Sequence, residues 1–143
     1  MTRLRAMITA QVTDQPISVS RLTALVTNPA AGAIASFSGD VRDNDGERKV
    51  LSLTYEIHPS APAVIEEIVT RLAAKHEVLG VAVAHRYGLI PIGESAFVVV
   101  VSAKHRGPAF AASQEIVEVV KAELPIWKHQ VFADGTDEWV NNA

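Results

Sequence analysis

The chain of 143 residues carries 16 acidic and 13 basic side chains for a formal net charge of −3, is 48% hydrophobic and contains no cysteine. That length suits one domain spanning 1–143 with a core of its own, and the composition excludes disordered, collagenous and disulfide-stapled chains. The slight negative charge gives no global field for nucleic acid or an anionic membrane, and the missing cysteine removes disulfides, thiolate metal sites and a cysteine nucleophile together.

Residues 1–5 are basic, but the segment that follows is short and broken by Thr9 and Gln11, unlike a signal-peptide core. No stretch approaches the roughly 20 apolar residues of a membrane span, so the cytoplasm is the expected compartment. Loose alternation predicts a strand over Met7–Asp14, and Ser20 stands where it can cap a short helix, Arg21–Thr27, ended by Asn28-Pro29. Gly32–Arg42 reads as a strand of small residues, followed by a polar loop over Asp43–Lys49. Val50–Ile57 resumes a strand with Leu51, Leu53, Tyr55 and Ile57 on one face, so the two strands are expected to pair as a long hairpin.

Ser60 followed by Pro62 announces a helix running to about His76, with Val64, Ile65, Ile68, Leu72 and Ala73 as its apolar stripe. Gly80–Arg86 and Ala96–Ser102 are β-rich runs, and the second has no polar face, the pattern of a central strand. Gly107-Pro108 opens a last helix that Pro125 stops at Leu124. Its predicted buried arc joins Phe110, Ser113, Ile116, Val117, Val120 and Leu124, with Lys121 at the border beside Phe110. A final hairpin is expected from Ile126–Phe132, the turn Asp134-Gly135, and residues 138–140.

The residues that speak of chemistry gather around that last helix. Lys121 and Lys128 bracket its proline stop, and His105-Arg106 opens it, so a small anionic ligand bound in one region is the first expectation. A lysine at the edge of an apolar stripe either snorkels to water or sits half-desolvated, and the second state is what acid–base or covalent lysine chemistry needs. Arg42, at the end of its strand, is a further candidate for a phosphate contact. His85-Arg86 lies between strands and reads as structural. The five histidines, His58, His76, His85, His105 and His129, show no ligand spacing, so no metal is expected. Phosphate-cradling glycine loops and the serine-nucleophile elbow are missing as well.

From the residues alone the chain is expected to be an α+β domain with a candidate anion site. Several strings taken in order do more: Phe37–Arg42, Leu53–Glu56, His85–Gly88 with Gly93-Glu94, Ser102–Arg106 with Ala109-Phe110, and Lys121 followed by Pro125-Ile126-Trp127-Lys128, closed by Trp139. Together they resemble the large, catalytic subunit of molybdopterin synthase over almost the whole chain. The resemblance implies the α/β-hammerhead fold: mainly antiparallel strands, two or three helices and an additional small antiparallel sheet.

It also implies a sulfur transfer in molybdenum cofactor biosynthesis. In that family a ubiquitin-like small subunit carries sulfur as a C-terminal thiocarboxylate, and two such partners in succession convert cyclic pyranopterin monophosphate into molybdopterin. By matching position, Lys121 and Lys128 are then the catalytic candidates. Arg42, His105 and Arg106 would hold the substrate, lined further by Asp40, Val41, His129 and Gln130. No cofactor is implied, and the family's large subunits pair as a homodimer within a heterotetramer whose pocket borrows residues across the dimer interface. Two rival readings stand beside this one: a non-catalytic anion-binding or partner-docking paralogue, and a lysine enzyme forming a Schiff base with a small phosphorylated carbonyl compound.

Overall fold

The computed structural model describes residues 5–141, and among them three helices and nine strands form two sheets. In chain order these are β1 (Met7–Thr13), α1 (Val19–Val26), β2 (Ala33–Asp40), β3 (Asn44–Asp45), β4 (Arg48–Ile57), α2 (Ala61–Ala73), β5 (Gly80–Arg86), β6 (Gly88–Ile90), β7 (Ser95–Ala103), α3 (Arg106–Glu123), β8 (Ile126–Phe132) and β9 (Asp137–Val140). The fold is α+β of the hammerhead type, and every strand pairing except β1 with β5 is antiparallel.

The first sheet runs β1-β5-β7-β2. Valine in β7 recurs at every position from Val98 to Val101 because both faces are covered, as a continuous apolar run requires. Alternate residues divide between the faces. Ala82, Ala84, Val98 and Val100 pack under Leu22 and Val26 of α1, while Val81, Val83, Val99 and Val101 join the larger core under α2 and α3. Each of these valines is fully or almost fully buried, a gain of roughly 1.5–3 kcal/mol apiece.

The second sheet runs β3-β4-β8-β9, with β6 also paired to β4. The long hairpin expected between β2 and β4 does not form. Val41 is captured instead by the turn before β7, its N–H donating to the Glu94 carbonyl at 3.0 Å and its carbonyl accepting from Gly93 at 2.8 Å. The chain therefore leaves the first sheet before β4 begins. The predicted loop over Asp43–Lys49 is largely a tight hairpin, β3 to β4, turned by Gly46 at φ 64°. A register shift between Val50 and Ser52 puts Val50 inside and Leu51 outside, against the simple alternation read from sequence.

Helix details differ in similar small ways. Ser18, not Ser20, caps α1, its hydroxyl accepting from the Arg21 N–H at 3.2 Å. Ser60 precedes α2 without a side-chain cap, its hydroxyl lying 2.8 Å from the His58 imidazole, and regular helix stops at Ala73 rather than His76. On α3 the buried side chains are Ala109, Ala112, Ser113, Ile116 and Val120, while Phe110 is 65% exposed. Small residues let this helix lie close on β2 and β7, so its inward face is centred about 100° from Phe110. No helix among the described residues is long and apolar enough to cross a membrane.

Candidate functional site

Where the two sheets meet, the ends of β2, α3 and β8 enclose a pocket whose lining includes Asp40, Val41, Arg42, Lys121, Lys128 and Gln130. Its floor comes from Leu53 and Tyr55 on β4 and from Ala96 and Phe97 on β7, with Asn44 and Asp45 at the rim. Strand periodicity places the β8 contributions. Lys128 lies opposite Tyr55 and Gln130 opposite Leu53, so both face the pocket, whereas His129 points to the other side of the sheet. There the His129 ring stacks on Trp139, centroids 4.3 Å apart, and its Nε2 meets Asp137 at 2.8 Å, so His129 does not line the pocket.

Lys121 reaches the same place from the last turn of α3, beyond which Leu124 and Pro125 turn the chain into β8. It is exposed, which selects the solvated alternative for the free protein, and Lys128 is half-buried. Lys121 from α3, Lys128 from β8 and Arg42 from the segment just after β2 thus converge on one pocket. Gln130 is buried and donates to Asp45 at 2.9 Å, which ties the β3 hairpin to the pocket rim.

Behind the floor lies an aromatic group the sequence reading assigned no role in the site. His85 is fully buried, stacked on Phe97 at 5.3 Å and edge-on to Tyr55 at 4.8 Å. Burial pushes its pKa down to about 4, with the nearby Lys121 charge lowering it further and the bond to the Arg86 carbonyl opposing. Burial likewise pushes the Tyr55 phenol up to about 12, so it remains a hydrogen-bond donor rather than a base at neutral pH. The residue signal for this group was present in His85, Tyr55 and Phe97. Nothing in local spacing says that three strands distant in sequence bring them together.

His105 and Arg106 are elsewhere. They form an exposed groove with Gly32, Lys104 and Pro108 at the start of α3. From Arg106 to Lys121 is 15 residue steps of one helix, roughly 22 Å at about 1.5 Å per residue. A single chain therefore does not unite the two cationic pairs that the sequence led us to expect in one region. No group of three or more metal-ligating side chains occurs among the described residues. The arrangement in the pocket can bind an anion, orient it against an apolar floor and move protons through two amines.

Residues 12–123 match the family model for the MoaE protein. Molybdopterin synthase catalytic subunit 1 of Mycobacterium tuberculosis is 42% identical over 135 residues, spanning 92% of this chain and 90% of that one. Molybdopterin synthase from Staphylococcus aureus has a crystal structure similar to this fold at a TM-score of 0.83 and 27% identity, covering 92% of this chain and 96% of that chain. The complex of subunits 1 and 2 of molybdopterin-converting factor from Helicobacter pylori 26695 shares the fold at a TM-score of 0.66 and 23% identity, covering 95% and 88%.

Proposed function

The chain belongs to the MoaE family of molybdopterin synthase catalytic subunits, enzymes of molybdenum cofactor biosynthesis, and from that premise we propose how its pocket works. A ubiquitin-like small subunit brings sulfur as a C-terminal thiocarboxylate, and this chain transfers it to cyclic pyranopterin monophosphate in the cytoplasm. The observation that carries the reading is the convergence of Lys121 and Lys128 with Arg42 in one pocket. Because the sulfur arrives on another protein, a chain without cysteine suffices; its part is binding, orientation and proton transfer. Lys121 and Lys128 serve as acid–base groups or stabilise anionic intermediates, while Arg42 grips an anionic group of the substrate.

The site is completed by a second copy of the chain. His105 and Arg106 are exposed cationic groups at a helix start, suited to phosphate, yet they stand roughly 22 Å along α3 from Lys121. In a two-fold homodimer each pocket takes its Lys121 and Lys128 from one chain and its His105-Arg106 from the other. With one small subunit per pocket the assembly is a heterotetramer.

The test mixes the purified chain with thiocarboxylated small subunit and cyclic pyranopterin monophosphate and follows dithiolene formation. Wild type is expected to make product, and Lys121→Ala to lose about 100-fold or more in turnover, the scale of a positioned acid–base group. Lys128→Ala is expected to lose activity as well. Full activity in Lys121→Ala would remove the catalytic role from that residue, and an inactive wild type that still binds both components would favour a non-catalytic paralogue.

A further inference from the structure

One group in the pocket is out of keeping with an anion site: the carboxylate of Asp40, placed in the lining with Arg42, Lys121 and Lys128. Its position is built rather than incidental. The pairing of β2 with β7 shifts register between Gly39 and Asp40, and such a bulge re-aims the side chain that follows it. Two hydroxyls then fix the carboxylate: Ser38 donates to Asp40 Oδ1 at 2.5 Å and Ser95 to the same oxygen at 2.8 Å. The two serines come from the neighbouring strands β2 and β7.

All the bonding is on one oxygen. Among the described residues no ion pair joins Asp40 to the three cations beside it, and Oδ2 has no hydrogen-bond partner. The other carboxylate of the pocket, Asp45, is held by Gln130. Asp40 is therefore a carboxylate locked through Oδ1 with Oδ2 left to accept. A carboxylate oxygen only accepts, so a ligand edge that seats against that wall is matched when it carries N–H or O–H donors.

The proposed substrate has two chemically opposite ends. Its phosphate suits the exposed His105-Arg106 pair that the second chain brings. Its aminopyrimidinone ring, at the other end, presents the 2-amino group and the N3–H side by side, a donor edge that a carboxylate matches. We propose that Asp40 is the specificity-determining residue for this pterin edge, with Oδ2 accepting from the 2-amino group and N3–H while Ser38 and Ser95 hold Oδ1. This assignment rests on the pterin phosphate reading above and adds to it the feature by which the pocket tells a pterin from a pteridine-dione. A dione analogue carries a 2-oxo group, which would place oxygen against Oδ2.

The experiment compares 6-hydroxymethylpterin monophosphate with the matching 2-oxo lumazine monophosphate as inhibitors of synthase activity on cyclic pyranopterin monophosphate. Wild type is expected to prefer the pterin by about 10- to 100-fold, the range for a hydrogen-bonded charged group. Asp40→Asn, which presents an amide N–H toward the 2-oxo group, is expected to abolish or invert that preference. It is also expected to raise KM for cyclic pyranopterin monophosphate about tenfold or more, with a much smaller change in kcat. A purely structural Asp40 would not alter the preference between two ligands that differ at one atom, so the ratio separates the roles. Because Asp40 is exposed, the variant is expected to fold, and its thermal midpoint checks this. If wild type turns over cyclic pyranopterin monophosphate yet binds the two inhibitors within about threefold, the Asp40 assignment falls alone. If wild type neither binds nor converts the substrate, the pterin reading falls and the assignment with it.

Discussion

The imidazole of His85 meets the phenol of Tyr55 edge to face, with ring centroids 4.8 Å apart, directly behind the floor of the lysine pocket. Its Nδ1 donates to the Arg86 carbonyl at 2.9 Å, which fixes the neutral tautomer and leaves Nε2 buried without a partner. That histidine makes stability depend on pH in a defined window. Unfolded, it titrates near 6.5; folded, at about 4. Between those values only the unfolded chain binds the proton, so its contribution is complete above about pH 6.5, falls as pH drops through the window and levels off below about 4. The loss is roughly 3 kcal/mol at about 1.4 kcal/mol per pH unit. Urea unfolding from pH 4.5 to 7.5 should show this slope in wild type. His85→Asn keeps a donor for the Arg86 carbonyl but does not titrate, so it should be less stable at neutral pH and have a flatter profile. An unchanged slope would put the pH dependence elsewhere.

Two of the strings that carried the family resemblance, His85–Gly88 and Gly93-Glu94, meet as an ion pair between Arg86 and Glu94 at 2.7 Å. Arg86 is 8% exposed, and the turn holding Glu94 also binds the backbone of Val41, next to Asp40 and Arg42. Glu94→Ala leaves a nearly buried guanidinium short of its partner. The half-exposed position of Glu94 lets water replace part of the loss, so about 1–3 kcal/mol is expected in urea unfolding. The same variant should raise KM severalfold by loosening Val41. Glu94→Gln, which keeps an acceptor, should do less of both.

Secondary structure was legible wherever one local rule dominated. The unbroken valine run of β7, rich in β-branched residues and without a polar face, read as a central strand and is one, and Pro125 stopped α3 where expected. Pairing was not legible, because whether β2 joins β4 or β7 depends on Val41 being captured by a turn some fifty residues later. Within the site, Lys121, Lys128 and Arg42 were readable as cations near element ends. Gln130 and His129 could be told apart only once strand parity was known. Phe110 misled for a physical reason: hydrophobicity ranked it above Ala109 and Ala112, but close helix-on-sheet packing favours the small residues. The floor of Tyr55 and Phe97 backed by His85 is a long-range arrangement with no local signature.

Gly32 holds the junction where His105-Arg106 begins α3. A Cβ there would stand 2.5 Å from the Lys104 carbonyl oxygen, a backbone atom that cannot swing aside. Gly32→Ala should therefore push β2 and the Lys104–Arg106 turn apart at a cost of about 1–3 kcal/mol, read as a drop of several degrees in Tm. Because the turn carries His105 and Arg106, KM for the pterin phosphate should rise even at temperatures where the variant is fully folded. A variant with wild-type Tm would show that the junction relaxes without strain.

The proposed sharing of each pocket between two chains makes a quantitative prediction that no single-chain site can meet. Arg106→Ala damages the pocket its groove serves, and Lys121→Ala damages the pocket on its own chain. Mixed homodimers of the two variants would hold one pocket with both lesions and one with neither. Random reassortment of equal amounts makes about half of the dimers mixed, so about a quarter of wild-type activity should return although each variant alone is nearly inactive. Reassortment is done by co-expression with two affinity tags, and the doubly tagged fraction should reach about half of wild-type activity per dimer. If His105-Arg106 and the lysines serve the same chain, every mixed dimer keeps two damaged pockets and no activity returns. The same mixture of Lys121→Ala with Lys128→Ala should show no rescue, since those two side chains line one pocket within a single chain and every mixed dimer has a lesion in each.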